Sequence, residues 1–142
     1  MPYAVAVRHN FESAHRLPNL SGKCNSLHGH SWWAEITVEA PTAESGIVVE
    51  IGAFKKAVRE WIDEHLDHGT LLGPDDPLGT ILRSHQCKVY DVPGWPTVEN
   101  VAALLADVAS KALAGLDSAP GARVSNVRVD ETRVNSAVWQ AE

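Results

Sequence analysis

Two stretches of strict alternation, residues 3–12 and 31–40, constrain this chain more than any other feature. In the first, Tyr3, Val5, Val7 and Phe11 share one face while Arg8, Asn10 and Glu12 share the other. In the second, Trp32, Ala34, Ile36 and Val38 oppose Glu35, Thr37 and Glu39. A period of two means strands with one buried face and one wet face, and such strands pair into an antiparallel sheet that needs a cover on its apolar side. The cover is predicted over residues 53–66, where Phe54, Val58, Trp61, Ile62 and Leu66 recur at helical spacing against Lys55, Lys56, Arg59, Glu60 and Glu64. A second helix opens at Pro96-Thr97, with Thr97 as its cap, and runs through Val101, Leu104, Leu105, Val108 and Ala112 to a stop at Gly115. Alternation returns over residues 123–131 and 134–140. The order strand, strand, helix, helix, strand, strand predicts an α+β fold: a four-stranded antiparallel sheet with two helices on one face. Residues 69–96, rich in Gly and Pro, read as a long connection whose length marks it as functional.

With 142 residues, 44% hydrophobic and 21% charged, the chain is expected to form a single domain, 1–142, with one core and one main site. It holds no run of about 18 apolar residues, and its start lacks the order of a signal peptide, so a cytoplasmic protein without a membrane partner is expected. Twelve Lys+Arg against eighteen Asp+Glu give a formal charge of −6, the wrong sign for tracking phosphates, which disfavours nucleic acid as a partner. Two cysteines, Cys24 and Cys87, are too few for a disulfide framework and fit a reducing compartment.

The seven histidines are the anomaly. His28 and His30 flank Gly29 at the mouth of the second strand, and a two-residue spacing on a strand points both rings to one side. His15 ends the first run and lands beside them if the two strands pair. Three histidines without a fourth protein ligand form a catalytic zinc arrangement, with one position left for water or substrate. Two other readings stand beside it: histidines as ordinary polar residues, and Cys24 completing a closed structural site of one cysteine and three histidines.

Further along, Asp67-His68 closes the first predicted helix with a carboxylate next to an imidazole, either a proton-transfer pair or a charged helix end. Glu131 falls on the inward strand face of Val127 and Val129 and needs a partner there, either Arg123, Arg133 or paired N–H donors of a ligand. Glu99, in the first turn of the second helix, suits the helix dipole.

Taken in order, Phe-x-x-Ala-His-Arg-Leu at 11–17, Cys-x-x-x-His-Gly-His at 24–30, Leu-Asp-His at 66–68, Pro-Thr-x-Glu-Asn at 96–100 and Val-x-Glu-Thr at 129–132 resemble the motifs of the 6-pyruvoyltetrahydropterin synthase / 6-carboxytetrahydropterin synthase family. The cysteine–histidine motif and the Phe-Glu-Ser-Ala-His-Arg-Leu-Pro opening look more like the carboxytetrahydropterin branch, which feeds queuosine and other 7-deazapurines. The resemblance implies a tunnelling fold (T-fold), its sheets joined into a barrel by oligomerisation, as a homohexamer of two trimers with active sites between subunits. It implies Zn2+ on His15, His28 and His30, Cys24 as the proton-transfer thiolate, Asp67 and His68 as its relay, and Glu131 as the pterin anchor, with Thr97 and Glu99 lining the pocket. The implied substrate is 7,8-dihydroneopterin triphosphate, converted by a carbon–oxygen lyase to 6-carboxytetrahydropterin with release of acetaldehyde and triphosphate. A 6-pyruvoyl product and a non-catalytic pterin-binding paralogue are the alternatives.

Two stretches depart from the family pattern. Gly46-Ile47-Val48-Val49-Glu50-Ile51 stands where Gly-(Met/Ile)-Val-x-Asp-Phe is common, a change expected to alter a helix cap. After His68, Gly69-Thr70-Leu71-Leu72 leads into an extended segment carrying His85 and Cys87, in place of the usual aromatic and Leu-Asn-Asp.

Overall fold

A computed structural model describes residues 3–142. Strands β1 (Tyr3–His15) and β2 (His28–Ala40) are followed by helix α1 (Ile51–His65), strand β3 (Gly69–Leu72), helix α2 (Pro77–Ser84), strand β4 (Val89–Asp91), helix α3 (Val98–Ala114), and strands β5 (Arg123–Asp130) and β6 (Ser136–Gln140). β1 and β2 pair antiparallel along their full length, from Tyr3 opposite Ala40 to His15 opposite His28. Both strands run three residues beyond the alternation seen in sequence. The inward period continues through Ser13, His15, His28 and His30, polar residues that hide it from a hydropathy reading.

The four-stranded antiparallel sheet is corrected to a six-stranded mixed sheet in the order β4-β3-β1-β2-β5-β6. β3 joins the end of β1 in parallel, Ser13 opposite Gly69, and β4 joins β3 in parallel. The expected long loop therefore contains two strands and a third helix. Leu71 and Leu72 are fully buried, and four residues are too few for alternation to register. α2 follows from its start signals: Pro77 sits in the first turn and the Asp76 side chain accepts from Leu78 N–H at 2.9 Å.

Both long helices lie on the apolar face, where Phe11, Trp32, Ile36 and Val127 meet Phe54, Ile62, Val101 and Leu105. Tyr3, expected on that face, is 56% exposed. His9 takes a buried place on the same face instead. Thr97 caps α3 through Asn100 N–H at 3.1 Å, and Glu50 caps α1 by accepting from Gly52 and Ala53, so the Glu50 departure does fall on a helix cap. β6 begins at Ser136 rather than at the predicted Val134, which is 86% exposed.

Candidate metal centre and active site

The pairing register of β1 and β2 builds the centre of the site. His15 lies directly opposite His28, and His30 opposite Ser13, so three imidazoles share the inward face at the open end of the sheet. Ring centroids are 4.6 Å apart for His15–His28, 4.8 Å for His28–His30 and 5.1 Å for His15–His30. Trp32, fully buried, floors the cluster edge-on to His15 and His30 and donates its indole N–H to Ser13 O at 3.0 Å.

Backbone carbonyls fix two of the rings. His15 Nδ1 lies 2.8 Å from Pro96 O and His28 Nδ1 lies 2.7 Å from Ser26 O. A carbonyl only accepts, so both Nδ1 atoms carry the proton and, in a neutral ring, both Nε2 atoms carry a lone pair. These two Nε2 atoms face each other at 3.1 Å, an arrangement that demands a cation. His30 Nε2 extends the demand to a third nitrogen: it is buried, lies 3.1 Å from Glu131 Oε1, and makes no hydrogen bond. One proton cannot serve three nitrogens, whereas a metal ion can. The three ligand atoms lie within 4.8 Å of one another, and tetrahedral zinc with Zn–N of about 2.0–2.1 Å sets nitrogens about 3.3 Å apart. Burial pushes the pKa of His15 down against the opposing Pro96 hydrogen bond, and that of His30 down against Glu131, favouring the neutral, ligating form.

The three histidines can hold a metal ion, and the group does not include Cys24. Cys24 stands exposed in a short 3-10 turn, Gly22–Asn25, whose backbone is tied to the first motif by Leu17 N–H to Cys24 O at 2.8 Å. Glu131, expected on β5, lies one residue past its end. Its neighbour is His30 and not Arg123, which donates to the Glu142 carbonyl.

Asp67 and His68 do not close α1, which ends at His65 with Leu66 as cap; they form the turn into β3. That turn is stitched to β1 at Glu12: Glu12 N–H donates to Asp67 Oδ1 at 2.8 Å, and His68 N–H donates to Glu12 O at 2.7 Å. The other carboxylate oxygen faces His68 Nδ1 at 2.9 Å, while the His68 side chain is 78% exposed and its backbone left-handed at φ 59°. Burial alone would raise the Asp67 carboxyl, but the Glu12 N–H and His68 outweigh it and hold it below its ordinary range. His68 and His30 both line an open groove that passes Glu12 and Ser31. Thr97 is half-buried with its hydroxyl engaged in the cap; Glu99 is exposed in the first turn of α3.

Sequence reasoning did not find the carbonyls of Pro96 and Ser26 or the Trp32 floor. Backbone acceptors leave no residue-type signal, although Trp32 follows His30 at the same-face spacing of two.

The α+β fold thus sets a three-histidine cluster able to hold a metal ion at the open end of its sheet. The chain belongs to the 6-pyruvoyl tetrahydropterin synthase family, whose model matches residues 4–142, and is an enzyme of that lyase type. It is 40% identical over 98 residues to a 6-carboxy-5,6,7,8-tetrahydropterin synthase of Rickettsia bellii, covering 67% of this chain and 71% of that one. It is 27% identical to the enzyme of that name from Aquifex aeolicus, over 100% of both chains. In fold it is similar to Caenorhabditis elegans 6-pyruvoyl tetrahydropterin synthase, with a TM-score of 0.70 at 22% identity over 100% of this chain and 97% of that one.

Proposed function

We propose that this protein is a zinc-dependent 6-carboxy-5,6,7,8-tetrahydropterin synthase that converts 7,8-dihydroneopterin triphosphate to 6-carboxytetrahydropterin, releasing acetaldehyde and triphosphate, in 7-deazapurine (queuosine) biosynthesis. The observation that carries the reading is the facing of His15 and His28 Nε2 at 3.1 Å with both Nδ1 atoms committed to carbonyls, beside a buried His30 Nε2 that makes no hydrogen bond. The names of the relatives above support the choice of product, and the substrate is the one that the motif resemblance implies.

His15, His28 and His30 hold the zinc. Zinc bound there supplies Lewis acidity, easing loss of a proton from a carbon beside an oxygen of the substrate side chain. Cys24, exposed and outside the ligand group, takes that proton as a thiolate. Asp67 holds His68 Nδ1, which leaves Nε2 of that ring free to exchange a proton. The Glu131 carboxylate accepts two N–H bonds from the amino-pyrimidine edge of the pterin, a bidentate contact that selects the ring. Its place beside His30 puts the anchor for the ring next to the ligands that face the substrate side chain. Thr97 and Glu99 line the same pocket.

The whole chain acts as one T-fold domain in a homohexamer of two trimers, with sheets closed edge to edge into barrels. Support comes from the open edges: β6 ends the sheet on one side, and β3 covers β1 only at Ser13, Ala14 and His15, leaving the earlier part of β1 without a strand neighbour on the side away from β2 among the described residues. Closure between subunits brings a Cys24 thiol and an Asp67–His68 relay together.

Incubation with 7,8-dihydroneopterin triphosphate tests the reaction. Triphosphate and acetaldehyde should appear in equal amounts. Triphosphate without acetaldehyde would instead make the chain a 6-pyruvoyl synthase, and neither product would leave a pterin-binding protein without catalysis.

A further inference from the structure

The Pro96 carbonyl that orients His15 is the end of a small device built from the start of α3. Gly94 and Trp95 both adopt left-handed backbone, with φ of 78° and 77°. Glycine tolerates this; a tryptophan does so only when its surroundings enforce it. Asn100 supplies the enforcement. Its side-chain amide donates one N–H to Gly94 O at 2.6 Å and the other to Trp95 O at 2.9 Å, spending both donors on the two carbonyls of the strained pair. A Cβ at Gly94 would come within 2.9 Å of that same amide nitrogen. From the other side the Trp95 ring lies flat over Gly73, where a Cβ would meet the ring at 2.3 Å. Held between Asn100 and Gly73, the turn delivers the next carbonyl, Pro96 O, to His15 Nδ1 at 2.8 Å.

We propose that Asn100 is a positioning residue of the metal centre: by clamping the Gly94–Trp95 turn it aims the Pro96 carbonyl at His15, and so fixes the tautomer and the ring plane of that ligand. The proposal rests on the metal reading above for its consequence, though not for its geometry. Partners of this kind keep a ligating nitrogen free and directed, and losing one weakens metal binding about 10- to 100-fold. Asn100→Asp is the informative change. It is isosteric, it suits the first turn of a helix, and it turns two donors into acceptors facing two carbonyls.

The first measurement needs no metal: long-range 1H–15N NMR on the full chain, metal-free, at a pH where the rings are neutral. His15 should be the Nδ1-protonated tautomer in the wild type and a mixture in Asn100→Asp. The second is zinc affinity by chelator competition, with the Co2+ absorption spectrum of the loaded protein. Asn100→Asp should still bind one equivalent, about 10- to 100-fold more weakly and with a changed Co2+ spectrum. Gly73→Ala, which displaces Trp95 from the opposite side, should move both readouts in the same direction. Val108→Ala, a destabilising change in the middle of α3, should move neither. An Nε2-protonated His15 in the wild type, or an Asn100→Asp protein with wild-type affinity and spectrum, overturns the proposal. A wild-type chain with the expected tautomer that binds no zinc overturns the metal reading and leaves the clamp standing.

Discussion

Cys24 separates catalysis from ligation at the level of a single atom. Its thiol is exposed and lies outside the ligand group formed by His15, His28 and His30. Cys24→Ala should therefore keep zinc and lose turnover by about 10²–10⁴-fold, the usual worth of general-base assistance. Zinc analysis alongside steady-state rates checks this, and loss of the metal would return Cys24 to the ligand set. His9 makes a second residue-scale prediction. It is buried with Nε2 unpaired, and burial, helped by Arg59 and Lys55, pushes its pKa down from 6.5 to about 4. The unfolded chain then binds the proton more readily than the folded one, so stability is full above pH 6.5 and falls as pH drops toward 4. The loss attributable to this ring is about 1–3 kcal/mol. Denaturant titrations at several pH values should show a shallower acid loss in His9→Leu than in the wild type. The three histidines that could hold a metal were legible because spacing on paired strands fixes side-chain direction. His9 was not, since a histidine within an apolar alternation reads as an interruption of the buried face rather than as a member of it.

Element by element, legibility followed length. β1, β2, α1 and α3 carry enough periods to declare themselves, and Thr97 and Gly115 end α3 as their chemistry predicts. β3 and β4 have four and three residues, and their pairing with β1 and with each other is long-range, so the segment between α1 and α3 read as loop. That segment is fastened to the site by Asp76, whose buried carboxylate takes Arg16 Nε at 2.7 Å, contacts Arg16 Nη2, and caps α2. Arg16 holds the Asp76 carboxyl well below the usual range. Breaking a buried pair costs about 3–5 kcal/mol, and Arg16, partly exposed, recovers some hydration, so Asp76→Ala should destabilise by about 2–4 kcal/mol. Asp76→Asn, which keeps an acceptor for the cap, should lose less. Equilibrium unfolding of the two variants compares them, and hydrogen exchange should show α2 and β4 opening first in Asp76→Ala.

On the scale of the whole molecule, the order of motifs along the chain and the register of β1 on β2 bring residues from five segments to one end of the sheet. The six-stranded arrangement changes where edges are exposed. β4 adds a short edge of three residues, while the outer side of β6 and of β1 before Asn10 has no strand neighbour among the described residues. On the function proposed above, the subunits assemble as a hexamer with a zinc centre on His15, His28 and His30 of each. Native mass spectrometry of protein purified without chelator measures subunit number and metal content together. It should find six chains carrying six zinc ions, and His30→Ala should lose the metal. A metal-free monomer that takes up no added zinc would contradict both the assembly and the metal centre.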